Sequence, residues 1–423
     1  MSDATLGRRR FLQLAGAGGA AVVLSTAVGA TPARATGGVR VYVLVVDGMR
    51  PEEITPTATP TLHGLKTRGT WFSQARSLPV METIPNHVMM MTGVRPDRSG
   101  VPANAIYDRA AKVERELDRP SDLRFPTVLE RLKASGRPTA TVLSKDYLYG
   151  IFDGKASYQW EPEPSIPVSG HAPDQFTMDA ALSALDEVDP HLMFVNLGDV
   201  DRIGHSDQTG PLTVRALRRA ALTTQDTQIG RFVNRLKETG RWERSLLIVL
   251  ADHSMDWSIP TNLISVSEIL KGRPEASSVR IAQNGGADLL YWVGPDNQRS
   301  AGLAEVRRRV SRHPGVLSVQ PPRELRLGPE AGDLIAYCKP GWRFSDPAIV
   351  SNPIPGNHGH PVTEPIPFLM ASGHPAVRRG FVSTEPARTV DVAPTVGAVF
   401  GLRPPSGGYD GTVRASAFQA RWR

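Results

Sequence analysis

The chain reads as an α/β protein with a mostly parallel central sheet and helices on both faces. Two observations predict this. Three short, almost unbroken apolar runs recur at residues 39–46 (VRVYVLVV), 192–197 (LMFVNL) and 246–251 (LLIVLA). Continuous rather than alternating hydrophobicity is what a strand buried on both faces requires, and β-branched residues suit its pleated surface. Helical patterns lie between and around these runs, at residues 60–68, 127–135, 178–187 and 212–239. Strands that alternate with helices need crossover connections, which place helices on both sides of a parallel sheet.

Each run ends in an acidic residue or in a short loop that carries one, and ligands of such sheets bind beyond the carboxyl ends of the strands. The pattern changes between about residues 258 and 346. Strand-like segments at 278–282 and 288–293 precede a basic helix at 300–311, and shorter strands follow at 316–319 and 333–337. This predicts a small α+β lobe inserted into a catalytic domain of residues 36–405, with a C-terminal tail at 406–423. Proline and glycine are frequent but spread through loops, and no internal repeat is evident.

Composition narrows the function classes. Of the 423 residues, 40% are hydrophobic and 22% charged, as in an ordinary globular protein. The formal charge is +7, of which Arg8, Arg9, Arg10 and Arg34 against Asp3 contribute +3, leaving about +4 on the remainder. That balance is too mild to argue for nucleic-acid binding, and no basic stripe with interleaved aromatics supports it. Cys338 is the single cysteine, which excludes an intramolecular disulfide and a thiolate metal cage. It is expected to be a small buried hydrophobe.

The N-terminus, residues 1–35, reads as an export signal. Arg8, Arg9 and Arg10 with Phe11 and Leu12 fit the twin-arginine pattern, a weakly apolar run rich in Ala and Gly follows, and Ala33-Arg34-Ala35 offers a small-residue cleavage site. The twin-arginine export machinery is thus one expected partner, and the expected location is extracellular or in the cell envelope. No later segment approaches the roughly 18 consecutive apolar residues of a membrane span.

Metal-type side chains come from separate segments: Asp47 in VVDGMRP, Asp201 and His205 in DVDRIGH, Asp252 and His253 in LADHSM, and His358 in PGNHGHP. Three carboxylates and three imidazoles suffice for two divalent ions with open positions. Clustered carboxylates repel one another, and bound cations keep them ionised. The candidate nucleophile is Thr83 in METIPNH, expected as the N-cap of a helix that runs to about Met91, with Pro85 in its first turn. A hydroxyl there meets the positive end of the helix dipole, and direct metal coordination would activate it. Asn86, one turn on, is expected to donate its amide to a phosphate oxygen.

VDGMRP, TIPNH with a following TG-x-x-P, D-x-x-x-H, DH-S-M and G-x-H-G occur here in the order typical of type I phosphodiesterases and nucleotide pyrophosphatases, a branch of the alkaline phosphatase superfamily. The resemblance spans about Val39 to Phe400. It implies the alkaline-phosphatase-like fold and two metal ions, zinc in the first instance. One would be held by Asp47, Thr83, Asp252 and His253, the other by Asp201, His205 and His358. It also implies attack by Thr83 on phosphorus and a phospho-threonine that water then hydrolyses. The chain departs from the family at Ser254, where a glycine is usual, and at Pro96-Asp97-Arg98-Ser99-Gly100, where relatives more often have a histidine before the glycine.

Other residues compete for these roles. Asp199 lacks the four-residue spacing to His205 that marks Asp201, and His360 competes with His358 in GNHGH. His87 and Met89, Met90 and Met91 read as packing; Asn104, Tyr107 and Asp108 are candidates for the pocket wall, and Arg307–Arg309 for a solvated face. Cys338-Lys339-Pro340 has the C-x-P opening of a sulfatase motif, but Trp342 stands where that motif needs arginine. Hydrolysis of small phosphodiesters or pyrophosphates, nucleotides among them, is the leading function. A phosphonate hydrolase or phosphomonoesterase on the same scaffold comes second, and a catalytically silent binding protein third.

Overall fold

In chain order the strands that organise the protein are β1 (Arg40–Val46), β2 (Thr70–Phe72), β3 (Thr139–Leu143), β4 (Tyr158–Trp160), β5 (Leu192–Leu197), β6 (Ser245–Leu250), β7 (Val279–Asn284), β8 (Ala287–Trp292), β9 (Val316–Gln320), β10 (Leu334–Cys338), β11 (Phe368–Ala371) and β12 (Phe381–Ser383). This computed structural model describes residues 38–162, 170–205 and 211–419, without the side chains of 211–215. The expected twin-arginine segment and cleavage site, within residues 1–35, lie outside the described residues. The described residues fall within one compact unit that runs from Ala35 to the C-terminus.

Eight strands form the main sheet in the order β12-β2-β11-β6-β1-β5-β3-β4. All neighbours run parallel except around β11, which is antiparallel to both β2 and β6. β1 lies in the middle, and all seven of its residues are buried, as the unbroken run VRVYVLVV requires. Successive side chains of a strand face opposite sides, and both sides are covered by helices. Tyr42 packs edge-on against Phe232 of the long helix Pro211–Glu238, with ring centroids 5.3 Å apart. Phe194, in register with the next residue of β1, Val43, turns the other way and meets His87 of the helix Thr83–Thr92 at 5.5 Å.

A second, fully antiparallel sheet has the order β7-β8-β10-β9. With the helix Asp296–Val310 it encloses a separate apolar cluster that includes Val306, Val310, Leu334 and Cys338. The C-terminal segment is tied to the main unit, the Arg95 N–H donating to Asp410 Oδ2 at 2.8 Å and the Gln419 N–H to the Ala376 carbonyl at 2.9 Å. Helix boundaries differ from the sequence reading by a few residues. The expected helix at 178–187 begins at Asp174, and Thr127 is the N-cap of its helix, accepting from the Glu130 N–H. In METIPNH Glu82 takes the extended N-cap position, so Thr83 is the first helical residue rather than the cap.

Candidate active site

Four adjacent parallel strands, β6, β1, β5 and β3, deliver polar side chains at or just past their carboxyl ends. Asp47 follows β1, Asp252 and His253 follow β6, and Asp201 and His205 lie on the helix Asp199–His205 after β5. His358 arrives just after the two-residue strand Gly356–Asn357. These residues form two groups, Asp47–Asp252–His253 and Asp201–His205–His358, in each of which one ligating atom per residue lies within 4.8 Å of the others. The His253 and His358 rings stack with centroids 3.6 Å apart and planes at 17°, so the groups lie side by side.

Three carboxylate oxygens in the groups, Asp47 Oδ1, Asp201 Oδ1 and Asp252 Oδ2, are buried with no hydrogen-bond partner among the described residues. An orphaned buried carboxylate oxygen is costly, and a cation is what satisfies it. The imidazoles complete the fit. His205 Nδ1 lies 2.7 Å from the Gly356 carbonyl, His253 Nδ1 2.9 Å from the Ser254 carbonyl, and His358 Nδ1 3.1 Å from Glu82 Oε1. Each Nδ1 faces an acceptor and so donates its proton there, which leaves Nε2 as the free donor atom. Those Nε2 atoms face the orphaned oxygens: His205 and Asp201 Oδ1 at 3.3 Å, His253 and Asp252 Oδ2 at 3.4 Å, and His253 and Asp47 Oδ1 at 3.7 Å. The residues present therefore fit two divalent cations with mixed oxygen and nitrogen donors.

Burial raises the carboxyl groups of Asp47 and Asp252 above their ordinary range, and the Asp252 charge adds to the effect on Asp47. Burial acts the same way on Asp201, but Lys145 and His205 outweigh it and hold that group well below its ordinary range. Burial pushes His253 well down, and neighbouring His358 pushes the same way. For His358 burial is overcome by the Glu82 carboxylate, which raises it to about 9, so the Nε2 of this ring becomes a donor only when a cation displaces its proton.

Thr83 is buried, with its Oγ1 3.2 Å from His253 Nε2. Its helix is tied to the sheet through His87, whose Nδ1–H donates to the Thr83 carbonyl at 2.8 Å and whose Nε2 accepts from Asn196 Nδ2 at 3.0 Å. The same Asn196 amide donates to Asp47 Oδ2 at 2.8 Å. Burial holds His87 down at about 4, so the ring is neutral and this assignment of its nitrogens is consistent. Gly48 has φ +70°, and a Cβ there would lie 3.0 Å from Asp201 Cα and Cβ. Only glycine lets the turn after Asp47 approach Asp201 so closely.

Asn86 is not placed as expected. Its Nδ2 donates to the carbonyls of Leu78, Val80 and Glu82 at 3.0–3.1 Å, and its Oδ1 accepts from the Leu78 N–H at 3.1 Å and from Thr389 Oγ1 at 2.8 Å. A helical side chain points back over the preceding turn, so Asn86 staples the incoming chain instead of facing a substrate. Asn104 is a second amide at the start of the same helix. Its Oδ1 accepts from the Ile84 N–H at 2.8 Å, which sets its amide beside the residue that follows Thr83.

The remaining alternatives separate cleanly. Asp199 accepts from the Asp174 N–H and from Arg202, and His360 Nε2 pairs with Asp256, so neither joins the two groups. The Ser254 hydroxyl turns away to the Pro365 carbonyl. Asp108 pairs with Arg115, and Tyr107 packs on Tyr291. Cys338 is buried in the second sheet, and Arg308 and Arg309 pair with Glu305. Three further residues belong to the neighbourhood, Glu82 beside His358, Asn196 beside Asp47, and Lys145 between Asp47 and Asp201. Asn196 is the one amide in an otherwise apolar strand, and Lys145 follows β3, a fourth strand end; both were legible signals.

The sequence matches the type I phosphodiesterase / nucleotide pyrophosphatase family over residues 41–360. It is 23% identical over 389 residues to the bis(5'-adenosyl)-triphosphatase ENPP4 of Bos taurus, spanning 86% of this chain and 79% of that one. Its structure is similar to that of murine ectonucleotide pyrophosphatase / phosphodiesterase 5, with TM-score 0.73 and 18% identity over 90% of this chain and 100% of the other. It is also similar to phosphonoacetate hydrolase from Sinorhizobium meliloti 1021, with TM-score 0.64 and 20% identity over 84% and 94% of the respective chains. At those identities the structures speak for the fold alone, an alkaline-phosphatase-like α/β architecture. The extent of the family match decides the matter: the chain belongs to the type I phosphodiesterase / nucleotide pyrophosphatase family of hydrolases.

Proposed function

We propose that the protein is an exported two-metal hydrolase that cleaves phosphodiester or pyrophosphate bonds in nucleotides or similar small phosphoesters, with Thr83 as nucleophile. One observation carries this reading. Thr83 Oγ1, on the first turn of its helix, lies 3.2 Å from a nitrogen of the Asp47–Asp252–His253 group. In this reading that group and Thr83 hold one ion and Asp201, His205 and His358 hold the other, with zinc as the metal suited to such donors. When bound, the ions supply positive charge that stabilises the phosphoryl oxygens and favours the threonine alkoxide.

Thr83 Oγ1 bonds to phosphorus in line as the bond to the leaving-group oxygen breaks, giving a phospho-threonine and an alcohol or nucleotide product. Water then attacks phosphorus and Thr83 leaves with its oxygen, so the enzyme is regenerated. Asn104, in place of Asn86, donates its amide to a non-bridging phosphoryl oxygen. A nucleotide-like substrate is supported by the name of the bovine relative and by a murine relative whose inactive threonine-to-alanine form was solved with AMP. Export rests on the twin-arginine pattern at Arg8–Arg10, and the inserted lobe at about 258–346 is kept as the domain division.

Two measurements test the reading. Thr83→Ala should abolish turnover while the protein keeps its metals; full activity in this variant refutes the nucleophile. Bis(p-nitrophenyl) phosphate should be cleaved faster than p-nitrophenyl phosphate, and the reverse order makes the protein a monoesterase. Release of inorganic phosphate from phosphonoacetate in the same panel would favour the phosphonate hydrolase.

A further inference from the structure

Lys145 is fully buried, and its ammonium lies where the two metal groups meet. Its Nζ is 2.8 Å from Asp47 Oδ2 and 2.7 Å from Asp201 Oδ2, so it grips one carboxylate from each group. The gripped oxygens are the two Oδ2 atoms. The opposite oxygens, Asp47 Oδ1 and Asp201 Oδ1, are the ones left without a partner and turned toward His253 and His205. A carboxylate anchored through one oxygen has its rotation fixed, and the aim of its other oxygen is fixed with it.

We propose that Lys145 is a positioning residue that aligns Asp47 and Asp201 for the two metal ions at once and thereby ties the two sites together. This rests on the two-metal reading above and adds to it a residue outside the ligand sets. Lys145 touches the ligands Asp47 and Asp201. Its side chain reaches the site because β3 is the next strand after β5 in the sheet and ends at the same level. Asn196 shares the task at Asp47 Oδ2 alone, whereas the ammonium bridges both groups.

Two effects of the ammonium oppose each other, and that makes the role testable. Its charge repels a dication, so on electrostatic grounds alone its removal would tighten metal binding. Its hydrogen bonds hold two mutually repelling carboxylates in ligating orientation, so on grounds of alignment its removal would loosen both sites. The proposal is that alignment wins, because without the ammonium Asp201 loses the hydrogen bond on its Oδ2 and Asp47 keeps only the one from Asn196.

The experiment measures metal content and affinity by competition with a chelator, using Zn2+ alone, on the full chain of wild type, Lys145→Met, Lys145→Gln, Lys145→Arg and Asp252→Asn, with folding checked by circular dichroism. Lys145→Met should weaken both sites together, by roughly 10–100-fold as for other residues that orient ligands. Lys145→Gln should do likewise and serves if the methionine variant does not fold. Lys145→Arg should restore part of the affinity, and kcat should fall with KM for bis(p-nitrophenyl) phosphate little changed. If the Met or Gln variant binds Zn2+ as tightly as wild type or more tightly, or if one site alone weakens, the proposal is overturned. Asp252→Asn separates this failure from the larger one. If that variant still binds two ions, the metal centre itself is misassigned; if it loses one while Lys145→Met loses none, only the role of Lys145 falls.

Discussion

Asn86 and Asn104 show how little a residue type decides without its direction. Both are amides close to Thr83, yet Asn86 spends its donors and acceptors on Leu78, Val80, Glu82 and Thr389, and Asn104 meets the Ile84 N–H. Replacing each with alanine should therefore give opposite signatures. If Asn104 donates to the phosphoryl group as proposed, Asn104→Ala should lower kcat by roughly 100-fold, the usual loss of one oxyanion donor, with a smaller loss of melting temperature because only the Ile84 N–H loses its partner. Asn86→Ala should lower the melting temperature first, because it leaves buried backbone groups unpaired. Steady-state kinetics and thermal melts on both variants decide between these outcomes. His87 supplies a pH dependence. Its imidazole is held down at about 4 against an ordinary 6.5, so the folded state refuses a proton that the unfolded chain accepts. That contribution to stability is complete above about pH 6.5 and is lost as pH falls toward about 4, amounting to about 3 kcal/mol. His87→Gln should give a flatter fall of melting temperature over that window, and an equally steep one would show that other groups carry the acid sensitivity.

The helix Thr83–Thr92 and the long helix Pro211–Glu238 brace the site from opposite faces of the sheet. The first is legible from TIPNH and the apolar run after it; its start differs by one residue from the sequence expectation, because the extended backbone that makes Glu82 the cap is set by the loop before it. The second helix carries Arg218, whose guanidinium donates to both oxygens of Glu53 at 2.6 and 2.8 Å, to the Val200 carbonyl at 2.8 Å and to the Gly48 carbonyl at 2.9 Å. One side chain thus locks the turn after Asp47 to the helix that bears Asp201. Removing one partner of a nearly buried ion pair leaves the other uncompensated, so Arg218→Met should destabilise the protein by about 3–5 kcal/mol. Urea unfolding is the check, with the midpoint lowered and the slope unchanged.

Across the whole molecule the two metal groups join segments from Asp47 to His358, and this couples metal binding to stability. Ligands that bind the folded chain and not the unfolded one stabilise it by mass action. Chelation should lower the melting temperature by several degrees, and readdition of Zn2+ should restore it. Asp252→Asn should make the melting temperature less responsive to the metal, and an unchanged response would remove Asp252 from the centre. The antiparallel β11 was not anticipated, because a short strand such as FLMA reads the same in either direction. The apolar runs at β1, β5 and β6 left no such freedom, since crossover helices force them parallel.

From the order of its residues alone the chain declares an α/β sheet, strand ends rich in carboxylate and imidazole, and a threonine opening a helix, because periodicity and local motifs are properties of neighbouring residues. Which oxygen of each carboxylate is free, which asparagine meets the Ile84 N–H, and that a buried lysine grips both metal groups are settled by packing between segments far apart in sequence. Those choices depend on side-chain direction and on competition for hydrogen-bond partners, and neither is written in spacing.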